Sequence, residues 1–189
     1  TLPEFNIQIE FGPLDFIQVN KRVNQLLVSK AIELLDISDT HKVIDLYCGI
    51  GNFSLPIARK AESVFALDFA PNQIIRGKSN AKINNIDNCT FENADLSLIS
   101  GNEDWLEQSW DRMLLDPSRS GSRSVVENIE CFNVPRICYV SCNPGTLARD
   151  ASILVNEKGY ELDCAGIIDM FPNTSHVESI AIFHKEIKR

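Results

Sequence analysis

Two segments in the C-terminal third carry side chains suited to covalent chemistry. Ser141-Cys142-Asn143-Pro144 sets a cysteine at the end of an apolar run, directly before a proline that opens a helix. A cysteine taken alone is most often a packing residue. The position of Cys142 argues for a nucleophile instead, because a helix N-terminus favours negative charge and predicts a lowered thiol pKa. Further on, Phe171-Pro172-Asn173-Thr174-Ser175-His176-Val177-Glu178 opens a last strand, on which His176 and Glu178 share one face. An acid heading the apolar run Ser179-Ile180-Ala181-Ile182-Phe183 is oddly placed for a surface charge. It predicts a carboxylate at a buried edge, with a raised pKa that suits a general base. An exposed strand-entry glutamate is the plainer alternative, and His176 reads as a hydrogen-bonding neighbour.

Three other strand ends carry ligand-type residues. The first closes in Asp45-Leu46-Tyr47-Cys48-Gly49-Ile50-Gly51-Asn52-Phe53, whose glycines allow a sharp turn and close approach of a ligand. A dinucleotide fingerprint would place a third glycine at 54, where this chain has Ser54, so a pyrophosphate cradle is disfavoured. Asp68 ends the second strand, where a carboxylate can accept both hydroxyls of a ribose. Asp95 lies just past the third, placed to meet an adenine edge. Each aspartate alone could be a turn or cap residue. Together they favour a nucleoside without phosphates, and S-adenosylmethionine is the expected ligand. The fourth strand ends Leu115-Asp116-Pro117, a stiff acceptor loop between that ligand and a substrate.

The elements that position these residues follow from periodicity. Asn20 is a candidate N-cap for a helix over 21–36, and Ile7, Ile9 and Phe11 alternate in extended lead-in pieces over 1–19. Apolar strands are expected at 42–46, 63–67, 89–91, 112–115, 136–140, 161–169 and 177–184. Helical stretches fall at 53–60, 71–84, 122–131 and 145–157. Such alternation predicts an α/β fold whose mostly parallel sheet is covered on both faces, with ligands beyond the carboxyl ends of the strands. The 189 residues suit one domain, 1–36 as lead-in and 37–189 as core.

Composition limits the rest. No apolar run approaches the roughly 20 residues that span a bilayer, and no secretory signal is present, so a cytoplasmic protein without a membrane partner is expected. Six cysteines without a CxxC pair predict free thiols and no bound metal. Apart from Cys142 they are expected to be structural. A net charge of −8 opposes a simple nucleic-acid footprint, despite local basic residues at Lys21, Arg22, Arg119, Arg123 and Arg149. The chain opens on Thr1, which fits a fragment or a processed product.

The segments FIQVN at 16–20, DLYCGIGNF at 45–53, LLDPSR at 114–119, SCNPGTLARD at 141–150 and DMFPNTSHVES at 169–179 together resemble the RNA uracil-5 methyltransferases. Within that family the likeness is strongest to the bacterial 23S ribosomal RNA branch, and it spans essentially the whole chain. The resemblance implies a Rossmann-like class I S-adenosylmethionine-dependent fold with seven strands. It implies methyl transfer to carbon 5 of a uridine in 23S ribosomal RNA, with no DNA partner and a monomeric state. Carried over by position, Gln18, Tyr47, Gly49, Asn52, Asp68, Asp95 and Asp116 would bind the cofactor, Cys142 would be the nucleophile and Glu178 the base. Tyr47 replaces a common phenylalanine and Asp95 a common asparagine. Arg119 and Arg149 are candidate RNA contacts. Relatives of this branch also carry an N-terminal RNA-binding domain and an iron–sulfur (4Fe-4S) segment; neither is expected in this chain. A tRNA or another ribosomal site, an amino-group methyltransferase that needs no nucleophile, and a non-catalytic binding fragment are the competing readings.

Overall fold

The computed structural model describes residues 1–13, 15–170 and 177–186. Its strands are β1 (Lys42–Leu46), β2 (Ser63–Asp68), β3 (Cys89–Asn93), β4 (Arg112–Leu115), β5 (Arg136–Ser141), β6 (Glu161–Ile168) and β7 (Glu178–His184). They form one seven-stranded sheet in the order β3-β2-β1-β4-β5-β7-β6. The first five strands run parallel, and β7 is antiparallel to both of its neighbours. The helices are α1 (Lys21–Leu35), α2 (Ser54–Ala58), α3 (Pro71–Ile83), α4 (Arg123–Glu127) and α5 (Pro144–Asn156).

Two cores result from strand alternation. Val43, Leu114, Cys138, Val140, Ile180 and Ile182 face α1, α2 and α3. Ile44, Leu46, Leu115, Ile137, Tyr139, Ala181 and Phe183 face α4 and α5. Because successive side chains point to opposite faces, the same period assigns Asp45, Asp116, Cys142 and Glu178 to the first face.

Asn20 caps α1 as its position predicts, its side chain accepting from the Val23 N–H at 3.3 Å. Pro71 and Pro144 start α3 and α5, where the missing N–H costs nothing. The lead-in differs from expectation. Leu2 and Ile7 form an isolated bridge, and residues 8–10 pair with side chains rather than with a strand. Asn84 accepts from the Gln8 N–H and donates to the Gln8 carbonyl, while Asn80 does the same for Glu10. The i, i+4 spacing of these asparagines on α3 thus imitates a strand edge. The helix expected near 122–131 is split at Asn128, beyond which Ile129–Phe132 is a 3-10 turn. All six cysteines are free, but Cys131 and Cys164 are exposed rather than packed in the core. Among the described residues no helix is long and apolar enough to cross a membrane.

Candidate active site

Tyr47, Gly49, Asp68, Asp116, Cys142 and Glu178 lie where β1, β2, β4 and β5 end and β7 begins, and Asp95 follows β3. In the β5–β7 ladder Arg136 is opposite His184 and Ser141 is opposite Ser179. One further step in this register sets Cys142 opposite Glu178, and directly opposed residues of an antiparallel pair point to one face. Glu178 is buried, and burial raises its pKa. Asp116 follows β4 and is held by its own N–H, which donates to the Leu46 carbonyl at 3.3 Å. Its carboxyl is pushed well above the usual range by desolvation, then by the charges of Glu178 and Asp45. Two carboxyl groups therefore face the same space as the half-buried Cys142.

The thiol corrects the expectation from its helix. Burial raises the Cys142 pKa, and Glu178 and Asp116 raise it further, with only weaker opposition from its own backbone and Arg119. The N-terminus of α5 is already engaged by Asn143, whose side chain accepts from the Gly145 N–H at 3.0 Å.

The turn after β1 is shaped for close approach. Gly49 and Gly51 adopt φ of 54° and 95°. A Cβ on Gly51 would lie 3.0 Å from the Leu55 side chain and 3.1 Å from Phe91. Asp68 ties the turn to β2, one oxygen accepting from the Gly49 N–H and the other from the Ala70 N–H, both at 2.9 Å. Each carboxylate oxygen retains a lone pair for a further donor. Tyr47 also has positive φ, 65°, which swings its ring toward the α4–α5 face. There its hydroxyl pairs with Ser122 Oγ at 2.9 Å. Asn52 exchanges two amide hydrogen bonds with Asn24 of α1, at 2.8 and 3.0 Å, so part of its capacity is committed within the fold. Asp95 is exposed; one oxygen accepts from the Ser97 N–H and hydroxyl, and these bonds lower its pKa.

Sequence reasoning missed several features. A cavity of about 280 Å³ is lined by Tyr47, Phe69, Asp95, Leu96, Ser120 and Gly121 among others. Phe69, beside Asp68, is 67% exposed, a flat apolar surface open to a planar ring. The Oε1 atoms of Gln18 and Gln73 are buried without a hydrogen-bond partner. Gln73 Oε1 would sit 3.7 Å from a Cβ on Gly49. Unpaired buried acceptors are costly, and the Gln73 oxygen leaves a free acceptor beside the glycine turn. Asp45 lies beneath the turn, fully buried, accepting from Ser54 Oγ at 2.5 Å. Desolvation is the main cause raising its pKa to about 7. A second hollow of about 380 Å³, lined by Gly12, Pro13 and Asp15 on one side and by α3 on the other, contains none of the candidate residues. Arg149, a candidate RNA contact, donates to Asp150 and to the Ser120 carbonyl, and its side chain is 39% exposed. His176 lies outside the described residues.

A parallel sheet in this strand order, with an antiparallel β7, a glycine turn after β1 and an acid after β2, defines the Rossmann-like fold of the S-adenosylmethionine-dependent methyltransferases. The family model described as tRNA (Uracil-5-)-methyltransferase matches residues 6–100 and 102–186, so the chain belongs to that family. It is similar to proteins named 23S rRNA (uracil(1939)-C(5))-methyltransferase RlmD. One, from Xanthomonas euvesicatoria, is 46% identical over 97% of this chain and 41% of the relative. Another, from Francisella tularensis, is 50% identical over the same shares. The chain thus spans about two fifths of the length of these relatives. Among solved structures, the Pyrococcus abyssi tRNA (uracil-54, C5)-methyltransferase in complex with S-adenosyl-L-homocysteine superposes with a TM-score of 0.80. Its identity is 32%, over 94% of this chain and 42% of that one.

Proposed function

We propose that this chain is the catalytic portion of an enzyme that methylates carbon 5 of a uridine in 23S ribosomal RNA through a covalent Cys142 adduct. The observation that carries the reading is the β5–β7 register, which continues to Cys142 opposite Glu178. The 46–50% identity to proteins named for 23S rRNA, against 32% to one named for tRNA, favours the ribosomal substrate.

Carbon 5 of a conjugated uracil is a poor nucleophile. Cys142 Sγ, once its proton has passed to water, adds at carbon 6 and moves electron density onto carbon 5. S-adenosylmethionine, when bound, supplies the electrophilic methyl group that this carbon takes up. Glu178 then removes the carbon-5 proton, and the carbon–sulfur bond breaks to return the thiolate. A carboxyl with a raised pKa is a stronger base than an ordinary one, which suits Glu178 to this step. Asp116 and Gln18 are the candidates to orient the base. For the cofactor, Gln18, Tyr47, Gly49, Asn52, Asp68, Asp95 and Asp116 are the proposed contacts, with Gln73 and Phe69 added by the geometry. The target base must leave its stack, at a cost of a few kcal/mol.

The test is a trap. In 5-fluorouracil-substituted ribosomal RNA, fluorine replaces the proton that Glu178 must remove, so the adduct persists after methyl transfer. With S-adenosylmethionine present, a covalent protein–RNA complex is expected, and mass spectrometry should locate the link on Cys142. A complex that forms equally with Cys142→Ala refutes the mechanism.

A further inference from the structure

Asp150 is a fully buried acid on α5, eight residues past Cys142 and outside every role assigned above. Its carboxylate gathers four donors. One oxygen accepts from Tyr139 Oη at 2.6 Å and the Ser122 backbone N–H at 2.7 Å. The other accepts from Arg149, whose Nε lies at 2.8 Å and Nη2 at 2.7 Å. Charge-assisted bonds of this kind are the strong ones in a protein interior.

These partners converge on the loop between β4 and α4. Arg149 Nη2 also donates to the Ser120 carbonyl at 3.0 Å, and Asn143 and Thr146 both donate to the Arg119 carbonyl. Gly121, at φ 78°, is packed so tightly that a Cβ would lie 2.6 Å from both Arg149 and Asp150. Ser122 then passes the contact on, its hydroxyl pairing with Tyr47 in the turn after β1. Ser120, Gly121 and Tyr47 are walls of the 280 Å³ cavity. The acid thus stands behind one side of the proposed cofactor pocket and joins it to the helix that follows Cys142.

We propose that Asp150 is a positioning residue for the cofactor: through Ser122 and Gly121 it fixes the pocket wall and the Tyr47 ring. The inference rests on the methyltransferase reading, since it takes this cavity as the cofactor site. A purely structural acid would lower stability when changed and leave the affinity of the folded protein alone. A positioning acid changes the affinity, because binding must then order a wall that was previously fixed.

The test measures S-adenosylmethionine affinity by calorimetry alongside thermal melting for the wild type, Asp150→Asn and Tyr139→Phe. Asparagine replaces one oxygen, the acceptor of two of the four donors, by an amide, and binding should weaken about tenfold. Tyr139→Phe removes one hydroxyl from beneath the pocket, where it cannot meet the ligand, and a loss of about threefold or more is expected. If Asp150→Asn fails to fold, Tyr139→Phe decides. A melting temperature that falls while the Tyr139→Phe affinity stays within about twofold of wild type overturns the inference. A folded wild type that gives no binding overturns the functional reading as well, an outcome distinct from equal affinities across the series.

Discussion

Asp45 offers the most direct check on the electrostatics beneath the glycine turn. Its carboxyl titrates near 3.8 in a free side chain and at about 7 in the fold. The folded chain therefore holds a proton that the unfolded chain releases, and stability falls as pH rises from about 4 through about 7. Below about 4 the acid is neutral in both states and no penalty exists. Above about 7 the penalty is complete; three pKa units at 1.36 kcal/mol each make it about 4 kcal/mol. Asp45→Asn imitates the protonated acid: its carbonyl oxygen can still accept from Ser54, and its amide stands where Oδ1 now lacks a partner. The variant should exceed the wild type's stability by only about 1 kcal/mol near pH 4.5 and by about 4 kcal/mol at pH 8. Urea unfolding at matched ionic strength reads the difference, and the other carboxylates cancel because both proteins carry them. A stability difference that stays flat to within about 1 kcal/mol between these pH values would show that Asp45 titrates normally and that the burial argument is wrong.

Glu178→Gln should leave thiol addition and methyl uptake possible but block proton removal, so a methylated covalent complex should accumulate on unmodified RNA and survive denaturing electrophoresis. Free turnover at wild-type rate would remove Glu178 from the mechanism. Cys142 alkylation by iodoacetamide, followed by peptide mass spectrometry, should quicken as pH rises through the alkaline range, because burial and the two carboxyls raise the thiol's pKa. It should also run faster with bound S-adenosylmethionine than with S-adenosylhomocysteine, which occupies similar space without the sulfonium charge; equal rates would discount charge coupling. Gly51→Ala combines a left-handed backbone with contacts at 3.0 Å to Leu55 and 3.1 Å to Phe91. It should cost roughly 2–5 kcal/mol in unfolding free energy, and a loss below about 1 kcal/mol would mean that the turn relaxes freely.

The strands and most helices were legible because their signals are local. Alternation marked β1 to β7 to within a few residues, and Asn20, Pro71 and Pro144 marked helix starts. The lead-in was less legible because Asn80 and Asn84, some seventy residues away, take the hydrogen bonds that a partner strand would have taken. Nothing in the spacing of Ile7, Ile9 and Phe11 distinguishes the two outcomes. Likewise Asn128 breaks the run over 122–131 by bonding back to the Ser124 carbonyl at 2.9 Å, a local competition that apolar periodicity does not record.

At the candidate site, position was readable and charge was not. Strand-end placement alone picks out Cys142, Asp116 and Asp68, since a parallel sheet brings its carboxyl ends to one edge. The state of the Cys142 thiol depends on what stands across from it. Glu178 lies 36 residues later in sequence, and only the antiparallel return of β7 makes the two neighbours. A helix N-terminus near a cysteine therefore does not predict an activated thiol until the opposing strand is known. Here burial first, and then the charges of Glu178 and Asp116, outweigh the favourable influences on the thiol. Arg149 depends on context in the same way: its chain position beside the catalytic segment suggests RNA, and the fold adds a pairing with the buried Asp150 that spacing does not signal. A charge near a candidate site can thus be assigned to a ligand only after the buried acids of the fold have taken their partners, and in this chain Asp150 takes its partner first.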